Sequence, residues 1–243
     1  MDLAIPAEAA FAPPVEGVLE SYALRSVSLD SIATETADLL LVRGKEGVRA
    51  LGHTKCPIPV LVVDGPPGIP SVGTAGLPKA IDAIQAEAHA LLTVPTMTVA
   101  TDEGTTEAVA FDVKLMTMKP AAISEFAISC GGHRVDQYRA DGVVLATPMG
   151  SLQYARAGGG AVCSPTLTGL SVVPIAPYRT NPRHWVLDGH VCIRIARDEE
   201  RVIVLADDTG VATLDKGDSV TCRLDRKLII CDVADARSPY TEC

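Results

Sequence analysis

Apolar positions change their rhythm partway along the chain. In the first half, ADLLLVRG (37–44) and PIPVLVVDG (57–65) are unbroken apolar runs closed by glycine, the pattern of strands buried on both faces of a parallel sheet. KEGVRALG between them has helical character, and GPPGIPSVG is a turn-rich loop. GLPKAIDAIQAEAHALL then sets Leu77, Ile81, Ile84, Ala88 and Leu91 on one helical stripe, with Pro78 suited to the first turn. Strand, helix, strand, helix predicts an α/β domain over residues 1–93 with a small Rossmann-like parallel sheet. From residue 94 the segments PTMTVAT, AVAFDVKLMT, AAISEFAISC, RVDQYRADGVVLAT, HVCIRIA, RVIVLAD, SVTCRL and KLIICD are short, rich in β-branched residues and separated by turn signals. They predict a mostly β domain over 94–243. The start, AIPAEAAFAPP, reads as a loosely held terminus or an abbreviated first element.

Composition narrows the partners. The chain has 243 residues and is 47% apolar, enough for a real core. A formal charge of −9, with scattered Lys and Arg, argues against nucleic acid, which needs a clustered basic footprint. No basic-then-apolar leader opens the chain, and runs such as LLLV and LSVVPIA are far shorter than the ~18 residues that span a bilayer. A soluble, cytoplasmic protein with no membrane partner is therefore expected. The cysteines at 56, 130, 163, 192, 222, 231 and 243 are widely spaced, without CxxC or a Cys/His cluster, and the histidines show no ligand spacing, so no disulfide framework or metal site is predicted. Most of these cysteines read as buried small apolar residues.

The densest chemistry lies in ADGVVLATPMGSLQYARAGGGAVCSP (140–165), where an apolar run gives way to a Pro-Gly-Ser turn and three glycines. Either the backbone is only turning, or it is cleared of side chains so that a flat polar ligand can approach. Asp141, Gly142, Thr147, Pro148, Gly150, Ser151, Tyr154, Gly159, Gly160 and Pro165 resemble, in the same spacing, the β-domain motif of the NAD kinases: Asp-Gly, strand, Thr-Pro-x-Gly-Ser-Thr-Ala-Tyr, Gly-Gly. Pro174, Ile175, Pro177 and Arg183 continue the likeness, which covers 108–225 well and the first half faintly. It implies a dinucleotide site in which Thr147, Ser151 and backbone amides offer hydrogen bonds, Tyr154 flanks a base or ribose, Asp141 accepts from ribose or amide donors, and the glycines permit close approach. Met149, Leu152 and Gln153 depart from the motif. The family's Asn-Glu or Asn-Asp pair corresponds to Phe111-Asp112, which keeps the carboxylate and replaces the amide with a residue that either stacks or points inward.

For the phosphate donor, NAD kinases and their lipid-kinase and phosphofructokinase relatives carry Gly-Gly-Asp-Gly after a buried strand, and this chain has Gly44, Lys45, Glu46 and Gly47. By that resemblance Gly44 and Gly47 bind phosphate, Lys45 faces the polyanion and Glu46 is the general base, with Asp64 the next carboxylate to consider. The other reading is a helix start bearing two solvated charges. Asp207-Asp208 reads as a hairpin turn and RDEER as a solvated loop. The resemblance implies transfer of a phosphoryl group from ATP or polyphosphate, with Mg²⁺, to the 2′-hydroxyl of the adenosine ribose of NAD, in a homo-oligomer. Two alternatives stay open: a non-catalytic NAD(P)(H)-binding protein with a decayed donor site, and a kinase for another small hydroxyl substrate.

Overall fold

The computed structural model describes residues 1–7, 22, 24–119, 122–197 and 200–236. The chain divides into two units, Met1–Val94 with Lys227–Cys243, and Pro95–Arg226. The expected division at 93/94 treats everything beyond as one domain. In the structure the last strand instead carries the chain back into the first unit.

The first unit is built on β1 (Leu3–Pro6), β2 (Leu24–Val27), β3 (Leu39–Arg43) and β4 (Val60–Val63), with helices α1 (Gly44–Gly52) and α2 (Leu77–Gln85). These strands run in the order β2-β1-β3-β4, all parallel, and Ile230 of the returning strand pairs in parallel with Val60. Leu39 to Val42 and Val60 to Val63 are all buried, as strands covered on both faces must be. Leu77, Ala80, Ile81 and Ile84 of α2 pack on Leu39, Leu41, Leu61 and Val63. Pro78 stands in the first turn of α2 as predicted, but the helix is shorter than its apolar stripe suggests. Glu87 takes a left-handed φ of 57°, Ala88 falls beyond the helix, and Leu91 lies exposed in a strand. A left-handed non-glycine residue ends a right-handed helix whatever the propensity of the Ala- and Leu-rich sequence that follows.

The second unit carries β5 (Ala90–Thr101, from Pro95), β6 (Thr106–Val109), β7 (Asp112–Thr117), β8 (Ser124–Cys130), β9 (His133–Ala140), β10 (Gly142–Ala146), helix α3 (Tyr154–Ala157), β11 (Leu170–Ile175), β12 (Trp185–Leu187), β13 (His190–Arg197), β14 (Val202–Ala206), β15 (Thr209–Leu214) and the first part of β16 (Ser219–Asp232). One sheet runs β16-β13-β8-β9 with the β5–β6 hairpin beside β16; the other runs β12-β11-β10-β7-β14-β15. All the register pairs within the second sheet are antiparallel. Alternate residues from both sheets, among them Phe126, Ile128, Val113, Leu115, Val143 and Leu145, make a shared apolar core. The opposite face of the second sheet holds a smaller cluster, Val144, Ala146 and Val173, covered by Ala155 of α3. AVAFDVKLMT, one predicted run, is two strands broken at Ala110 and Phe111, and SVTCRL with KLIICD form the single long β16. The start of AIPAEAAFAPP forms β1, while its remainder and part of RDEER lie outside the described residues.

Candidate functional site

Strand β7 places the first functional group. Its period of two sends Val113 and Leu115 into the shared core and Asp112 and Lys114 to the other face, where α3 lies. Asp112 is 3% and Lys114 6% exposed. The Lys114 ammonium stands 2.9 Å from Asp112 Oδ1, bonds the Asp208 carboxylate, and lies 5.4 Å from the centre of the Tyr154 ring. Burial pushes the Asp112 carboxyl up against the opposing pull of Lys114, and the charges on Asp207 and Asp208 push it the same way. For Lys114 burial pulls down, but Asp208 and Asp112 outweigh it and leave the ammonium raised. The Asp112 oxygen facing Lys114 has that ammonium as its partner and no further hydrogen bond, buried on this face.

Asp207 and Asp208 form the hairpin turn that their dipeptide predicts, with φ of 44° and 71° between β14 and β15. Their side chains do more than turn the chain. The buried Asp207 carboxylate accepts from the backbone N–H groups of Ala110 (2.7 Å), Phe111 (2.8 Å) and Asp112 (3.1 Å), while its own N–H donates to Asp112 O at 3.0 Å. The break between β6 and β7, just before Asp112, is thus fixed from a turn distant in sequence. Thr147 grips the same break: its Oγ1 donates to Ala110 O at 2.7 Å and its N–H to Phe111 O at 2.8 Å.

The Gly-rich stretch is held largely by the protein's own packing and hydrogen bonds. Thr147 and Ser151 are both fully buried, and their hydroxyls point inward. Ser151 Oγ donates to Pro148 O at 2.7 Å and accepts from Cys163 N–H at 2.9 Å, so both hydroxyls have partners within the protein. Gly150 is required by close packing. A Cβ there would lie 2.1 Å from Phe111 O, so the backbone that it approaches is the protein's own. Gly142 and Gly160 are packed similarly, against Met116 and Leu115 O, and against Val173 and Ala155 O. Gly159 differs: it is exposed with φ of 85°, and its carbonyl lies 2.6 Å from His184 Nδ1. Asp141 links β9 to β10, half-buried, with its backbone tied to Ile175 and Thr117. Phe111 points inward and is 1% exposed, which settles its two readings.

Tyr154 is 41% exposed and forms one wall of a cavity of about 330 Å³ lined also by Gly158, Ile175, Pro177 and His184. Pocket, ring and buried carboxylate all lie within the second unit. Neither Lys114 nor the Asp207 carboxylate is among the residues that the sequence singles out as ligand contacts. The signal for Lys114 was there: Asp112 and Lys114, two apart in an otherwise apolar strand, share a face.

In the first unit, Gly44 opens α1 with φ of 64° and Gly47 presses the helix on Val42, where a Cβ would meet Val42 Cβ at 3.1 Å. Lys45 is half-buried in the first turn; Glu46 is 70% exposed at the side chain and pairs with Arg49 at 2.7 Å. Asp64 ends β4 at φ of 49° with its carboxylate engaged by Thr74 N (3.1 Å), Thr74 Oγ1 (2.7 Å) and Arg43 Nε (3.2 Å). Its carboxyl is held below the usual range, since the bonds from Thr74 and Arg43 outweigh burial, the largest influence, which acts upward. Among the described residues no three His, Cys, Asp or Glu side chains are grouped to hold a metal ion, and no helix is long and apolar enough to cross a membrane.

Known proteins match in the region that carries this geometry. The family of the ATP-NAD kinase C-terminal domain matches residues 112–225. An NAD kinase of Methanosarcina barkeri is 38% identical over 98 residues, 40% of this chain and 36% of that protein. An NAD kinase of Methanosarcina mazei is 26% identical over 200 residues, 77% of this chain and 67% of that protein. The chain thus spans little more than a third of the first relative's length. Two solved structures share the fold: yeast NADH kinase complexed with NADH (TM-score 0.77, 18% identity, 96% of this chain and 83% of that one) and an Archaeoglobus fulgidus NAD kinase in complex with ATP (0.72, 20%, 97% and 95%). With the family motif on β10 and the turn beyond it, and the carboxylate at the head of β7, residues 112–225 match the ATP-NAD kinase C-terminal domain family, and the chain shares its fold with these NAD and NADH kinases.

Proposed function

We propose that this protein phosphorylates NAD, moving the terminal phosphate of ATP or polyphosphate, as its magnesium complex, to the 2′-hydroxyl of the adenosine ribose to give NADP. The observation that carries the reading is the family match over 112–225, because that stretch contains the buried Asp112 carboxylate, the Tyr154 wall and the Gly159–Gly160 turn. In this reading Asp112 and Asp141 accept from ribose hydroxyls and Tyr154 packs on the dinucleotide. Gly142, Thr147, Gly150, Ser151 and Gly160 act one step back, since their packing and hydrogen bonds fix the turn that presents those groups.

Phosphoryl transfer asks the protein mainly for positioning and charge neutralisation. Gly44 and Gly47 shape the first turn of α1, Lys45 faces the polyanion, and Glu46 is the base for the 2′-hydroxyl, leaving Arg49 when substrate binds. Asp64 is a poorer base because Thr74 and Arg43 already hold its carboxylate in the ionised, acceptor-saturated form. The same proposal includes a homo-oligomer, compatible with β9 standing at the edge of its sheet, and a cytoplasmic setting. Dinucleotide titrations paired with NADP formation test it. Binding with turnover supports the reading, and binding without turnover under any donor would leave a dinucleotide-binding protein.

A further inference from the structure

Among the described residues Lys114 is the cation that β7 carries on its Asp112 face, and its surroundings are built rather than incidental. Its ammonium is shared between a carboxylate on its own strand and one on the β14–β15 turn, and it lies under an aromatic ring from α3. The turn that supplies Asp208 also supplies Asp207, which fixes the backbone of Asp112. Main chain and side chain of Asp112 are therefore both held from a single turn.

We propose that Lys114 is a positioning residue for the dinucleotide: it keeps the buried Asp112 carboxylate ionised and aimed as an acceptor, and seats the Tyr154 ring that closes over the same ligand. This rests on the reading that Asp112 meets a ribose hydroxyl. The physical case is electrostatic. A carboxylate 3% exposed, with Asp207 and Asp208 as further negative neighbours, is costly to ionise unless a cation stands beside it, and Lys114 stands within 2.9 Å. A protonated Asp112 would offer one donor and lose acceptor strength toward a ribose hydroxyl. The ring adds a second link. A cation 5.4 Å from its centre favours one ring orientation, on the side of the cavity that Tyr154 walls.

The groups facing Asp112 are Lys114 on β7, Asp207 and Asp208 on the turn, and Tyr154 on α3 through the lysine, with His184 bordering the cavity. NAD affinity is measured by calorimetry from pH 6 to 8 for wild type, Lys114→Met, Lys114→Gln, Lys114→Arg and Asp112→Ala. Wild-type affinity should stay within threefold across this range. In Lys114→Met it should be at least tenfold weaker at pH 6 than at pH 8, because Asp112 without its cation takes up a proton, and Lys114→Arg should restore the flat profile. Melting temperatures give an independent readout. A carboxyl raised in the folded state favours folding when protonated, so the gap between Lys114→Met and wild type should narrow as pH falls.

If Lys114→Met is unfolded at neutral pH, Lys114→Gln, which can still bond a carboxylic acid, carries the same comparison. A flat, wild-type-like affinity profile in Lys114→Met or Lys114→Gln, with Asp112→Ala weakened, overturns the role of Lys114. Unchanged affinity in Asp112→Ala overturns instead the placement of Asp112 at the dinucleotide.

Discussion

Asp207→Ala should be among the most damaging single changes in the second unit. The carboxylate is 2% exposed and accepts three backbone N–H groups, from Ala110, Phe111 and Asp112. Removing it leaves three buried donors without their acceptor, at about 1–3 kcal/mol each before relaxation. Alanine must also hold a φ of 44°, a left-handed strain of about 1–2 kcal/mol. Allowing for water reaching one or two of the freed donors, the loss should be about 4–6 kcal/mol, a large part of the ~5–15 kcal/mol that stabilises a typical fold. Trp185, the single tryptophan, lies in β12 of the same unit with its indole N–H on Asp136, so its fluorescence in urea reports the transition directly. Asp207→Gly separates the two contributions, since it relieves the strain and restores none of the hydrogen bonds. A loss under about 1 kcal/mol for Asp207→Ala would refute the claim that this carboxylate holds the break before β7.

Other outcomes follow from single contacts. Gly150→Ala, whose Cβ would meet Phe111 O at 2.1 Å, should cost at least ~3 kcal/mol by overpacking against backbone, seen as a lower urea midpoint. Glu46→Gln should lower turnover by ~10²–10⁴ with NAD affinity unchanged, measured by steady-state rates beside calorimetry; wild-type turnover in this variant moves the base elsewhere. Burial pushes the Cys231 thiol up to about 11, so iodoacetamide at pH 8 should modify the half-exposed Cys130 and Cys192 well before Cys231, read by peptide mass mapping.

What the sequence reveals and what it hides divide along physical lines. Leu39 to Val42 and Val60 to Val63 are legible because a strand buried on both faces is apolar throughout. The end of α2 is not legible, because the residues after Gln85 favour helix locally and only the left-handed Glu87 and the start of β5 at Ala90 reveal the stop. KLIICD is recognisable as strand, but which sheet it joins is a long-range matter that pairs Ile230 with Val60. Asp207-Asp208 shows itself as a turn because αL conformers at both positions are a local property. Its grip on Ala110 to Asp112 is not local. The glycines invite the idea of a ligand cradle, yet at Gly150 the close approach is to Phe111, and a sequence cannot say which backbone a glycine admits.

Transfer of a labelled phosphate is the most direct test of phosphorylation at the 2′-hydroxyl. Purified protein incubated with NAD, Mg²⁺ and ATP carrying a labelled γ-phosphate should yield NADP labelled at the 2′ position, detected by a strictly NADP-dependent dehydrogenase and by phosphatase release of the label, with polyphosphate as a parallel donor. Labelled NADP should accumulate with time and enzyme, and its rate should fall ~10²-fold or more in Glu46→Gln. Absence of NADP with either donor, together with no stabilisation by millimolar NAD, NADH, NADP or NADPH, would contradict the proposed activity.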